Sequence, residues 1–181
     1  IKNKLFMLSA TVAVPFLIMV IYLIYALHSY SNAYKAIVNN MTVANNYNLN
    51  FKEEMDESLY KLVVGSVTFE TVGEEEGLQN PYGMIEDLRS EFGKLMRITT
   101  GGESRAWLQI LMRNIDTLED RVDDIRTNLE AENSYDMNIE MLDNNIYIMT
   151  ELVQDNIQSY IYYQTKSIEH LTQQLNDRVH T

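Results

Sequence analysis

The stretch that decides the fold is Leu5–Leu27, LFMLSATVAVPFLIMVIYLIYAL. It holds no charged residue, and at about 1.5 Å rise per residue it makes a helix of roughly 34 Å. A bilayer's hydrocarbon core is about 30 Å thick, so this helix is long enough to cross one. The core helix of a soluble protein carries one apolar stripe. Here the weakly polar members, Ser9, Thr11, Tyr22 and Tyr25, scatter around the wheel instead. Pro15 is tolerable in a membrane helix, where neighbouring groups satisfy the freed carbonyl. A cleaved signal peptide has a shorter apolar core, about 7–15 residues, and small residues at its cleavage site. Tyr25-Ala26-Leu27-His28 makes a poor site of that kind. The reading is an uncleaved transmembrane helix. Lys2 and Lys4 favour a cytoplasmic N-terminus, and Tyr22, Tyr25 and Tyr30 suit the outer interface.

Residues 1–28 are therefore read as a cytoplasmic stub plus anchor, and 29–181 as an extracytoplasmic domain in the cell membrane's outer space. The 181 residues have room for one such domain. All 26 acids and 12 of the 14 bases follow the anchor, which leaves that part near −14. Such a surface repels nucleic acid and anionic headgroups. The chain has no cysteine, which excludes disulfides and thiolate metal sites. Two prolines and seven glycines leave few helix breakers, and Glu, Leu, Met, Arg and Gln are frequent.

Apolar spacing predicts four helices, about 29–65, 81–99, 103–131 and 135–180. The first continues from the anchor, with a seam at Ile37, Met41, Ala44, Phe51, Met55, Leu59 and Leu62 and an expected Glu57–Lys61 pair on its wet face. Its asparagines, Asn39, Asn40, Asn45, Asn46, Asn48 and Asn50, are poor helix formers, so packing must hold it. Ser66–Asn80 reads as a solvated loop. Its run Glu74-Glu75-Glu76 lacks the alternating Asp/Asn ligands of a calcium loop. Asn80-Pro81 caps the second helix, whose stripe is Ile85, Leu88, Phe92 and Leu95. The third follows the Gly101-Gly102 turn with a stripe from Trp107 through Leu111, Ile115, Leu118, Val122 and Ile125 to Leu129. Its opposite, charged face includes Arg113, Asp116, Asp120, Asp123, Arg126 and Glu130 and reads as solvated. The fourth carries a near-heptad seam at Ile139, Leu142, Ile146, Met149, Val153, Ile157, Tyr160, Ile168, Leu171 and Leu175.

The fold class expected is all-α: a transmembrane helix continuing into an antiparallel up-down four-helix bundle with long first and last helices. The two shorter helices cannot cover the longer pair. Ile37, Val38, Ile161, Tyr162, Ile168 and Leu171 are thus expected to find burial in a membrane-proximal stalk, against a second copy in a homodimer. A first residue of Ile1 and a last of Thr181 read as a piece of a longer protein, with a second membrane helix following.

Three features together resemble the N-terminal sensor region of bacterial two-component sensor histidine kinases. They are the Lys2–Lys4 start with its span, NYNLNFKEEMDESLYKLVVGSV from Asn46, and MLDNNIYIMTELVQDNIQSYIYYQTKSIEHL from Met141. The resemblance implies a homodimeric receptor that relays ligand or partner binding, by helix displacement, to a kinase outside these residues. The phospho-accepting histidine would also lie outside them, so His28, His170 and His180 are not assigned that role. The alternatives are the ligand-binding bundle of a chemotaxis-type receptor and an anchored structural rod.

No catalytic, cofactor-binding or metal residue is nominated, since no phosphate loop, metal-ligand spacing or activated nucleophile is found. No cofactor is expected. The ligand, a small molecule or an extracytoplasmic protein, is not identified by the sequence. Trp107 and Tyr147 are candidates to line a site between helices, with core packing as the plainer reading. Arg89, Arg97 and Arg105 could meet an anion or pair with Glu86, Glu91 and Glu103. Asn40-Met41-Thr42 fits a glycosylation sequon, a chance match in a bacterial-looking chain.

Overall fold

The computed structural model describes residues 2–131 and 135–180, with side chains described over 13–131 and 135–178. The protein is all-helical, and the described residues contain no strand. α1 spans Lys2–Val63 with Pro15 inside it. α2 spans Pro81–Ile98 and α3 Gly102–Glu130. α4, Tyr135–Met141, runs through a π-helical turn, Leu142–Ile146, directly into α5, Tyr147–His180.

The helix ends follow from local chemistry. α1 stops where Gly65 takes φ +73°, a conformation that costs a side-chain-bearing residue but not glycine. Ser66 N then donates to Lys61 O at 3.0 Å and Gly65 N to Leu62 O at 3.1 Å. This pair of bonds is a Schellman cap, which satisfies carbonyls the helix leaves open. At the start of α2, Asn80 Oδ1 accepts from Tyr82 N at 3.0 Å while Asn80 Nδ2 donates to Phe69 O at 2.8 Å. One side chain thus caps the helix and ties down the preceding loop, and Pro81 costs nothing at the first position.

The molecule divides into two compact units, 1–39 with 166–181, and 40–165. The second unit holds the core. Phe51, Met55, Leu59 and Leu62 of α1, Ile85, Leu88, Phe92 and Leu95 of α2, and Leu111, Ile115, Leu118, Val122 and Ile125 of α3 are all buried. Leu142 and Ile146 of the π turn and Val153, Ile157 and Tyr160 of α5 complete it. The Phe92 ring meets Tyr47 edge-on at 5.7 Å and Tyr160 at 6.5 Å. Asn48 and Asp56 of α1 are met by α5: Gln154 Nε2 donates to Asn48 O at 2.9 Å, and Thr150 Oγ1 to Asp56 Oδ1 at 2.7 Å. In the first unit, Tyr30 Oη lies 3.1 Å from Thr172 Oγ1, and Tyr30 stacks on Tyr34 at 6.1 Å.

Three expectations need correction. The loop before α2 is not simply solvated: Val72, in a 3₁₀ turn, and Leu78 are buried in the core. Lys61 does not pair with Glu57; its Nζ lies 3.9 Å from Glu75 of that loop. The near-heptad seam of the last helical run also shifts. The buried positions are Asn138, Leu142, Ile146 and Thr150, whereas Ile139 and Met149 are only half-buried. Three successive gaps of four overrun an α-helix's 3.6 residues per turn. The π turn takes up the excess, holding one face inward across the change of register.

Candidate functional site

From Ala13 onward, the N-terminal part of α1 presents apolar side chains outward. Phe16, Ile18, Ile21 and Ile24 are each 61–65% exposed. Among the described residues, this helix alone is long and apolar enough to cross a membrane. A contiguous apolar surface of this kind marks a membrane or interaction surface.

A polar cleft of about 370 Å³ lies within 40–165, between α1 and α2. Its apolar floor is Phe51 of α1 and Met84 of α2, both buried. Asn46, Asn50 and Glu54 line one side. They stand four residues apart on α1, which puts them in a row on one helix face. Asp87 of α2 and Gln79, just before the Asn80 cap, line the other side. Gln79 Nε2 donates to Glu54 Oε2 at 2.9 Å, and Gln79 N reaches Ser58 Oγ at 3.4 Å. The half-buried Tyr47 ring forms a wall. Burial, and then the nearby Glu91 and Asp87 carboxylates, push its hydroxyl above the ordinary tyrosine range. No lysine or arginine lines the cleft.

Trp107 and Tyr147 do not share a site. Trp107 stacks on Tyr163 at 6.5 Å and lines an open groove between α3 and α5 with Leu152, Asn156 and Tyr162. Tyr147 lines a separate shallow cleft with Lys52, Asp56, Glu57 and Tyr60. Lys52 lies 5.9 Å from the Tyr147 ring centre and pairs with Asp56 at 2.5 Å. Burial and then Asp56 raise the Tyr147 pKa.

Nor do the three arginines gather into an anion site. Arg89 turns to α3, where its Nη2 lies 3.0 Å from Asp116 and 2.5 Å from Glu119, with Glu86 at 3.7 Å. Glu119 first, and Asp116 with it, hold its pKa above the ordinary value against the opposing effect of burial. Arg97 Nε donates to Gly93 O of its own helix at 3.3 Å, and Arg105 is exposed near the start of α3. Among the described residues, no group of three His, Asp or Glu side chains is arranged to hold a metal ion. Asn40 is 5% exposed, so the sequon it begins is no attachment point.

The sequence alone did not point to the cleft because Asn46 and Asn50, on the wet side of α1, read only as poor helix formers, while Gln79 and Asp87 come from the loop and from α2. The signal available was the spacing of four along α1. Comparison with protein-family models, curated proteins and solved structures found no match.

Proposed function

We propose that the chain is the extracytoplasmic signal-input region of a membrane sensor histidine kinase, anchored by Leu5–Leu27, with its N-terminus in the cytoplasm. The observation that carries this reading is the exposed apolar run of α1, from Val14 to Leu27, on a helix continuous with the acidic helical unit beyond it. That surface needs lipid, and the charged remainder needs water. The pairings of Asn48 with Gln154 and Asp56 with Thr150 favour an antiparallel course for α1 and α5. They support the up-down bundle that such input domains use. In that arrangement, a displacement of α5 of about 1–2 Å is a sufficient signal.

The active form is a homodimer in this reading. In the unit that holds the expected membrane-proximal stalk, Tyr34 and Val38 of α1 keep 41% and 37% of their surface exposed. A two-fold partner in the same membrane presents the same residues at the same height. The test is the reading frame after Thr181, together with autophosphorylation of the full protein by labelled ATP. A second apolar span, a kinase core and an acid-labile phosphohistidine support the proposal. A long methylated coiled coil would make it a chemotaxis-type receptor, and the absence of any output module an anchored structural protein.

A further inference from the structure

The α1–α2 cleft has a lining that selects among ligand chemistries. Glu54 and Asp87 bring negative charge with no base beside them, which disfavours anions. A metal ion would use only acceptor oxygens, and an organic ammonium ion would want acceptors and a cage of rings. This cleft has two rings, Tyr47 in the wall and Phe51 in the floor, which do not close a cage, and three amides, Asn46, Asn50 and Gln79. Each amide offers two donor hydrogens as well as an acceptor oxygen. Only a ligand that gives and takes hydrogen bonds at several points uses such a lining fully, and hydroxyl groups do both. The row Asn46, Asn50, Glu54 sets its groups about one helical turn, or about 5.4 Å, apart, a spacing that suits hydroxyls on opposite sides of a ring rather than neighbouring ones. The Gln79–Glu54 bond fixes one carboxylate oxygen and leaves Oε1 to accept from a ligand. Phe51 and Met84 below, with Tyr47 at the side, provide an apolar surface for the C–H face that sugars carry beside their hydroxyls. At about 370 Å³ the space falls within the range of small-molecule sites.

We propose that this cleft binds a small neutral carbohydrate of one or two rings, held by Asn46, Asn50, Glu54, Gln79 and Asp87 over the Phe51–Met84 floor. That binding is the signal rests on the input-domain reading above. The binding itself does not, so its failure is distinguishable from a failure of kinase output.

The experiment uses the full chain in lipid nanodiscs, which avoids sugar-headed detergents, and measures saturation-transfer NMR with glucose, galactose, maltose and their deoxy analogues. Glucose 6-phosphate, tetramethylammonium and putrescine are the charged probes. At least one neutral sugar should saturate at millimolar concentration or below, and its deoxy analogue should bind more weakly, because unpaired polar groups penalise a missing hydroxyl. Asn50→Leu and Asp87→Leu, both at exposed positions, should each weaken binding about tenfold or more, the equivalent of one lost hydrogen bond. Asn45→Leu, outside the cleft, should leave it unchanged, and helix content should be the same in all three. The proposal is overturned if no neutral sugar saturates, if a charged probe binds there in preference, or if the cleft variants bind as well as the parent.

Discussion

The Tyr160 hydroxyl of α5 lies 3.2 Å from Thr99 Oγ1, the C-cap residue of α2, with both side chains buried. The buried Asn40 side chain of α1 also acts on it, favouring the ionised form. One fully buried phenol thus ties three helices together at a point where an apolar residue would only fill space. Burial pushes its pKa up, against the opposing pull of Thr99 and Asn40. Tyr160→Phe should cost about 1–2 kcal/mol, because it strands two buried polar groups. Phe92→Ala, which empties the ring contacts beside it, should cost about 3–5 kcal/mol. Denaturant unfolding followed by circular dichroism checks both, and equal losses would mean that the hydroxyl does more than pair.

A second tyrosine responds to pH. Tyr82 Oη donates to Asp123 Oδ1 at 2.6 Å. Burial and that bond push its pKa up to about 12 from an ordinary value of 10.0. The folded protein therefore holds this proton more tightly than the unfolded chain does. The stabilisation is complete below about pH 10 and fades as pH rises toward about 12. Tyr82→Phe should remove that part of the alkaline loss. It should also cost about 1 kcal/mol or less at neutral pH, since the bond is exposed. Melting temperature measured against pH for both proteins is the check.

The π turn makes a deletion prediction. Asn144 is exposed within Leu142–Ile146, so removing it should convert the bulge to regular α-helix and keep the buried residues on either side in phase. Removing exposed Gln158 from α5 should instead rotate Tyr160 and Gln164 out of the core. The first deletion should change the urea midpoint far less than the second. The reverse order would mean that the bulge does not absorb the register change.

The homodimer reading predicts contact between copies along α1. In this cysteine-free chain, Tyr34→Cys and Val38→Cys in membranes should form disulfide-linked dimers on mild oxidation. Asn128→Cys, on α3, should cross-link less. Uniform cross-linking would point to random collision.

Much of the helical content was legible because spacing of three and four is a local property. Ile85, Leu88, Phe92 and Leu95 on α2, and Leu111 through Ile125 on α3, read as stripes and are buried. What escaped depends on tertiary context. Val72 and Leu78 sit in a segment too short and glycine-bounded to show a period, yet the core takes them in. Asn138, Thr150, Asn156 and Gln164 are buried polar residues on the last helical run, invisible to a search for apolar seams. The register shift at Leu142–Ile146 followed from including them, since only then do the gaps of four line up. Asn128 Nδ2, for instance, donates to Asn138 Oδ1 at 3.1 Å, a pairing that no periodicity announces. The cleft was hidden for the same reason: its lining comes from two helices and a loop.

The absence of cysteine also allows the most direct test of the anchor and its sidedness. Single cysteines placed by Asn3→Cys, Ile18→Cys and Glu53→Cys would be probed in intact cells with a membrane-impermeant maleimide. Labelling is expected at position 53 in intact cells, at position 3 only after permeabilisation, and at position 18 only once the membrane is dissolved. Labelling at 3 with protection at 53, or free labelling at 18 in a chain that stays soluble without detergent, would contradict this topology.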